Sequence, residues 1–360
     1  MNLQNRNKKV VRVAAFLAAS GLLTACGQDS NTNYTLHYTT YSNATSDQSK
    51  TVQRWAKEVE KLTNGGVQVE FHYSQSLAGA DEALQATLDG RADLAQVGSF
   101  YASSDLSMFT VIELPFETQN PEVHMTAIER LYRENEVYRK DFDQQGVKLL
   151  YPLPLGSVVL GLKQPAKAPE DLASRSIRSG GLTSEVLMSA GVNPVAMTAT
   201  DIYESMERGI VDGYSALAVA NLSTFGLTRV TPYLVNPGIG AYSSSIVVIN
   251  AKLFESMPDE YKKAIEKASS HGISIGLEEM DAAASLACTE LKQEGTELTE
   301  FSVEDVMAWK QQVNVDSDWV SRYSKQGYDA QSVLDDYRKI IADEETTSTY
   351  SDPVITCMGG

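Results

Sequence analysis

Histidine, cysteine and positive charge are all scarce in this chain of 360 residues, which has 4 His, 3 Cys and 30 Lys+Arg against 47 Asp+Glu. His37, His72, His124 and His271 are scattered, and none shows ligand spacing in the sequence, so no metal site is read from them. The nucleophile motifs G-x-S-x-G and H-E-x-x-H and the phosphate-cradling motifs G-x-x-x-x-G-K-[ST] and G-x-G-x-x-G are missing, which argues against an enzyme and implies no cofactor. The net charge is −17, and the first 25 residues carry Arg6, Lys8, Lys9 and Arg12 with no acidic residue. Setting those four positive charges aside leaves −21 on the remainder, a surface that repels nucleic acid and anionic headgroups.

Long apolar runs are missing too. No stretch reaches the ~18 residues needed to span a bilayer. Residues 10–23 form a shorter apolar run behind the basic start, the layout of an export signal over residues 1–25. Its end, Leu23-Thr24-Ala25-Cys26, resembles a bacterial lipobox, which implies cleavage, lipidation (palmitate) of Cys26 and a polar tether over 26–33. An ordinary cleaved signal with an incidental Cys is the alternative. With Cys26 lipidated, Cys288 and Cys357 remain as an even pair in an oxidising compartment. A disulfide would pin the C-terminal tail to a late helix; two free thiols are the other reading.

What is present is a βα alternation. "YTLHYTTY" (34–41) alternates as a first strand, and Val52, Trp55, Ala56, Val59 and Leu62 make a helical stripe that ends at Gly65-Gly66. Strands at 67–73 and 92–98 flank a short helix at 80–90, an order that implies a mostly parallel sheet. One helix is expected over 121–140, followed by strands at 147–154 and 157–162. From 171 the alternation resumes, with "SIRS", a helix near 183–190, "PVAM", a helix after Thr200 and "IVDGY" (210–214). "SSSIVVIN" (243–250) reads as a buried strand returning to the first half. From Pro258 to about Gln293 the pattern is one long helix with a possible break at Gly272 or Gly276, and helices near 303–322 and 331–343 follow. Without a Pro/Ser-rich linker between the halves, the chain crosses between them more than once. The fold class is α/β, a two-lobed clamp with a long connecting helix. The divisions are lobe 1 over 34–155, rejoined by about 240–257; lobe 2 over 156–239; the connecting helix over 258–300; and C-terminal helices and tail over 301–360.

Ligands of open parallel sheets bind beyond the carboxyl ends of strands. The residues there are Tyr41 and Ser42, Gly98-Ser99-Phe100-Tyr101, Gly156-Ser157, Arg178-Ser179-Gly180, Tyr214-Ser215 and Tyr242-Ser243-Ser244. From these the candidate ligand-binding set is Arg178, Tyr41, Ser99, Phe100, Tyr101, Ser157, Tyr214 and Tyr242. Small hydroxyls, rings and one guanidinium suit a small ligand in an enclosed pocket, although Ser ends strands everywhere and Tyr is common in cores. Arg178 follows Ile177 on a short strand, so the two face opposite ways. A guanidinium matches a carboxylate's two oxygens and keeps its charge when desolvated. Pairing with an Asp or Glu of this acidic chain is the bland alternative, and an exposed pair would contribute ~0–1 kcal/mol. Glu113 and Asp212 sit near possible clefts but are expected to satisfy turns or helix ends.

The segments "LTNGGVQVEFHYSQSLAGADEALQATLDGRADLA", "VIELPF", "PEDLASRSIRSG", "GVNPVAMTATDIYESMERGIVDGYSA" and "INAKLFESMPDEYKKAIEKAS" are similar to those of the DctP-type solute-binding proteins of TRAP transporters. The resemblance runs from about 34 to 325. It implies a periplasmic-binding-protein-like clamp, a monomer with no enzyme activity, that captures a small organic acid and hands it to the small and large subunits of a cation-coupled membrane permease. Arg178 matches the family's Arg that ion-pairs with the ligand carboxylate. The chain departs from the family at Ser157-Val158-Val159, where sugar-acid binders often carry a second Arg, and at "DGYSAL", where many read D-G-x-E-x-P. Gly98-Ser99-Phe100-Tyr101 replaces acidic or amide contacts of some relatives. With fewer polar groups and more rings, a short or aromatic monocarboxylate is expected over a sialic-acid-like sugar, with a dicarboxylate or sulfonate left open. A membrane sensor subunit is the rival reading, and a lipoprotein enzyme the remote one.

Overall fold

The structure, a computed structural model, describes residues 33–241 and 243–359. The export signal, Cys26 and Tyr242 lie outside the described residues. Among those residues no helix is long and apolar enough to cross a membrane.

The strands are β1 (Tyr34–Thr39), β2 (Val67–His72), β3 (Leu94–Gly98), β4 (Val147–Leu153), β5 (Leu160–Leu162), β6 (Ser176–Arg178), β7 (Asn193–Val195), β8 (Gly213–Tyr214), β9 (Tyr233–Asn236), β10 (Ser245–Asn250) and β11 (Glu297–Glu300). They form two sheets, in the orders β2-β1-β3-β10-β4 and β11-β9-β5-β8-β6-β7. In the first, β1 runs parallel to β2 and β3, but β10 enters between β3 and β4 antiparallel to both. In the second, β5 is antiparallel to β8 and β9, while β6 is parallel to β7 and β8. Both sheets are thus mixed, where the βα alternation implied mostly parallel ones. An apolar run such as "SIVVIN" announces burial on both faces but carries no sign of strand direction.

The first sheet is covered by the helix Asp47–Leu62, whose stripe of Val52, Trp55 and Val59 is buried against Leu36, Tyr38, Val247 and Ile249. Each such side chain contributes roughly 1.5–3 kcal/mol by leaving water. Ser46 caps this helix, its Oγ accepting from Ser49 N at 3.0 Å. The expected helix over 121–140 is two, Pro121–Glu134 and Glu136–Gln144. Asn135 divides them because its Oδ1 accepts from Tyr138 N at 2.9 Å and starts a second helix.

The long connecting helix is also two, Asp259–Ser269 and Gly272–Glu294, broken at Ser270-His271. Gly272 and Gly276 serve close packing. A Cβ at Gly272 would lie 2.4 Å from the Tyr151 ring, and one at Gly276 would lie 2.5 Å from Pro154. Gly272–Glu294 packs against the helix Asp47–Leu62 and β4 on the first side, and against the helix Val219–Leu222 on the second. It therefore braces both sheets. Cys288 on it is joined to Cys357 in the helix Pro353–Met358, with the sulfurs 2.06 Å apart. The stretch 303–322 holds two helices, Val303–Gln312 and Val315–Ser324, and β11 is an edge strand the sequence reading did not foresee.

Candidate functional site

Because β10 runs against β3 and β4, its first residue Ser245 sits beside Gly98 at the end of β3 and Leu153 at the end of β4. The loops after β1 and β3 and the loop before β10 therefore meet at one edge of the first sheet. On the second sheet Arg178 ends β6 opposite Val195 and Tyr214, so the loops after β6, β7 and β8 also meet. A cavity lies between the two groups, walled by residues of both.

Arg178 lines this cavity and is 0% exposed. Its Nε donates to Met197 O at 3.1 Å and its Nη1 to Ser215 O at 3.0 Å, whereas Nη2 has no hydrogen-bond partner. The guanidinium carbon lies 5.6 Å from the centre of the Phe100 ring. Burial pulls its pKa down, opposed by the nearby Tyr101 phenol. No carboxylate of the described residues pairs with it, so the bland reading of a surface ion pair does not apply.

Tyr41, Phe100 and Tyr101 also line the cavity. The Tyr41 and Tyr101 rings meet edge to face at 5.4 Å, and Tyr101 OH accepts from Ala199 N at 3.2 Å, across from the first sheet to the second. Phe100 packs on Gly180, where a Cβ would lie 2.8 Å from its ring. Glu113 accepts from Leu182 N at 3.0 Å, satisfying the start of the helix Gly181–Ser189, and burial pushes its carboxyl up to about 7. Asp212 accepts from Ser176 N at 2.8 Å in a turn.

Three predicted residues fall elsewhere. Tyr214 is core: its ring packs where a Cβ on Gly161 would come within 2.1 Å, and its hydroxyl is bound to Thr231 Oγ1 at 2.7 Å. The wall belongs instead to Ala216 and Leu217, just beyond it. Ser157 lies behind the wall, its N–H donating to Asp352 Oδ2 at 2.6 Å. Ser99 is one step back as well, 3.3 Å from the Oγ of Ser243, which does line the cavity.

The sequence reading missed the other end. Asp47 and Gln48, the first residues of their helix, line the cavity and are buried. Neither oxygen of Asp47 has a hydrogen-bond partner, and burial pushes its carboxyl up to about 7 against the pull of nearby backbone N–H groups. Gln48 Oε1 accepts from Gln96 Nε2, which also donates to Ser245 Oγ at 3.1 Å, and Gln96 Oε1 accepts from Thr40 Oγ1. Gln48 Nε2 is left without a partner. A signal existed: Gln48 lies four residues before Val52, so a polar residue continues the buried stripe.

Outside the cavity, the structure brings together two of the histidines that sequence spacing left apart. Parallel register sets His37 opposite Glu70, with His72 two residues on, and the two rings approach to 3.1 Å. Among the described residues this partly exposed trio alone offers three ligand atoms close enough to share an ion, and a ring-to-ring hydrogen bond accounts for the approach as well.

The family described as bacterial extracellular solute-binding protein, family 7 (DctP), matches residues 38–324. The chain is 24% identical over 294 residues to the outer membrane transporter protein TsaT of Comamonas testosteroni, covering 80% of this chain and 85% of that one. It is 22% identical over 273 residues to a monocarboxylate 2-oxoacid-binding periplasmic protein of a Nostoc species, covering 72% of each. In fold it is similar to a TRAP solute-binding protein from Rhodoferax ferrireducens in complex with copurified benzoate, with a TM-score of 0.80 at 19% identity over 87% of this chain and 99% of the other.

Proposed function

From the premise that the chain belongs to the DctP family, family 7 of the bacterial extracellular solute-binding proteins, we propose that it captures a small organic acid outside the cytoplasm and delivers it to a TRAP permease. The observation that carries this reading is the buried Arg178, with its Nη2 unpartnered on the wall of a cavity that is also lined by rings, small side chains and the Asp47–Gln48 pair. A ligand carboxylate there satisfies the free donors and neutralises the buried charge. The cargo is a short or aromatic monocarboxylate, since Phe100, Tyr101, Tyr41 and Phe225 supply faces for an apolar body and Arg178 is the one cation on the wall among the described residues. Similar proteins that take ligands of this kind, a 2-oxoacid and benzoate, support the class.

The lobes, residues 34–155 with about 240–257 and residues 156–239, close over the ligand. The mature chain is a monomer held at the membrane surface by lipid on Cys26 and acts without catalysis. A Cys26→Ser variant that remained in the membrane fraction would refute the anchor.

The deciding experiment is a thermal-shift screen of the mature protein against organic acids, followed by calorimetry. A ligand at 100 times its Kd adds about 2.7 kcal/mol of stability and raises Tm by several degrees. If no carboxylic acid raises Tm or releases heat, the reading fails.

A further inference from the structure

The cavity has a second polar end, and its hydrogen-bond inventory specifies a partner. In its ionised form Asp47 presents two carboxylate oxygens and no donor; Gln48 beside it presents a free amide NH2, Nε2. The orientation of the Gln48 amide follows from its neighbours: Thr40 donates to Gln96 Oε1, so Gln96 Nε2 faces Gln48, and Gln48 must offer its oxygen and turn its nitrogen away. Buried groups of this kind each cost stability while unpaired. No side chain pairs with either free group among the described residues: Asp47 has only the backbone N–H groups of its own helix start nearby, and Lys50, on the same helix, makes no ion pair with it. The Tyr41 phenol lies within electrostatic reach of both Asp47 and Arg178, which do not pair with one another.

Resting on the reading that this cavity binds an organic acid, we infer that the acid also carries a hydroxyl, remote from its carboxylate, that donates to Asp47 and accepts from Gln48 Nε2. A hydroxyl is both donor and acceptor and pairs with both residues at once. An ammonium only donates and leaves the Gln48 nitrogen unpaired, and a bare methyl or ring edge leaves both. The rings of Tyr41, Phe100 and Tyr101 that share this lining fit the apolar spacer that such an ω- or ring-hydroxylated monocarboxylate has.

The test is a set of matched probes on the mature protein by calorimetry: benzoate, phenylacetate and butyrate, each against its hydroxylated and its amino-substituted counterparts. Each probe is titrated into the wild type, Asp47→Ala, Asp47→Asn and Gln48→Leu, and a melt of each variant establishes that it is folded. At least one hydroxy acid is expected to bind the wild type tenfold or more tightly than its bare parent. That ratio is expected to fall toward one in Asp47→Ala, and to fall in Gln48→Leu. Equal affinities for hydroxylated and bare acids in the wild type, or a ratio that survives Asp47→Ala, overturn the inference and leave the capture of organic acids standing. A preference for the amino acids overturns the hydroxyl in favour of a zwitterion. If the wild type binds no acid of any kind, the proposed function itself fails.

Discussion

Replacing Arg178 separates ligand binding from stability, because the two respond to different halves of its bonding. In the free protein Nε and one N–H of Nη1 are committed to Met197 O and Ser215 O. Nη2 makes no hydrogen bond of good geometry, with the Tyr101 phenol beside the guanidinium as its nearest polar neighbour, and its N–H groups remain to donate. A carboxylate taking two of these gains charge-assisted bonds of ~1.5–3 kcal/mol each. Truncating the cation leaves that anion buried and unpaired, at a cost of about 2–5 kcal/mol. Arg178→Met, which keeps the stem and removes the fork, is therefore expected to lose at least ~3 kcal/mol of binding, roughly 150-fold in Kd. Arg178→Lys keeps a charge but lacks the rigid fork that reaches both carbonyls and the ligand together, so a loss of at least ~10-fold is expected. Stability of the free protein should change little. Losing the donors to two carbonyls destabilises it, but removing a desolvated cation with no acid partner offsets that loss. The assay is calorimetry with the best acid from the screen, beside ligand-free melts of each variant. Arg178→Met binding within threefold of the wild type while still folded would refute the assignment.

Three further outcomes follow from the same geometry. In Gly180→Val the added side chain meets the Phe100 ring, which a Cβ alone would approach to 2.8 Å, so the loops are wedged apart. A cost of ~1–3 kcal/mol in the ligand-bound form is expected, about 5- to 150-fold in Kd, and an unchanged Kd would deny that Phe100 and Gly180 must touch for binding. Replacing Cys288 and Cys357, 69 residues apart, by Ser should cost ~4 kcal/mol in denaturant unfolding, and two reactive thiols in the unreduced, denatured mature chain would deny the crosslink. Asp47 is held near 7 in the fold against an ordinary 3.8, so the folded chain binds this proton more tightly; stability is fully present below about pH 4 and is lost as pH rises toward 7, by about 4 kcal/mol in all. Asp47→Asn should remove that share of the slope from ligand-free melts; Glu113, also raised to about 7, keeps a slope of the same sign, and buried His124, lowered to about 4, works in the opposite sense as pH falls, so identical pH profiles of variant and wild type would refute the assignment.

Much of the frame was legible because periodicity reports burial. The stripe Val52-Trp55-Val59 and the run "SIVVIN" each located an element, and "SIRS" set Arg178 against Ile177 on opposite faces. What periodicity does not report is direction and register. That β10 runs antiparallel is invisible in its apolar run, yet it is this reversal that brings Ser243 to Ser245 to the edge of the cavity. Register likewise decided Tyr214. On a two-residue strand one position separates a core ring from the cavity wall, and the ring went to Gly161. Asp47 carries no signal in the sequence for a different reason. An acidic residue in the first turn of a helix satisfies the helix dipole and needs no other account, so only its burial without a partner marks it.

Those unpaired groups bear on how the clamp works. Cross-sheet contacts already close the cavity in several places: Glu113 on Leu182 N, Tyr101 OH on Ala199 N, and Asn43 Nδ2 on Thr224 O at 3.1 Å. They are few and mostly neutral, each contributing about 1 kcal/mol, so they bring the lobes together without locking them. A ligand shifts that balance only through contacts that differ between open and closed forms. Arg178 is fixed to the second sheet, and Asp47 and Gln48 are fixed to a helix covering the first. A molecule with an acid group at one end and a hydroxyl at the other would satisfy both sets only when the lobes are closed. A bare acid would satisfy Arg178 alone, open or closed. Closure as seen by small-angle scattering should then follow the hydroxyl more than the carboxylate, and equal compaction by phenylacetate and its hydroxylated counterpart at saturation would break the link between Asp47 and lobe closure.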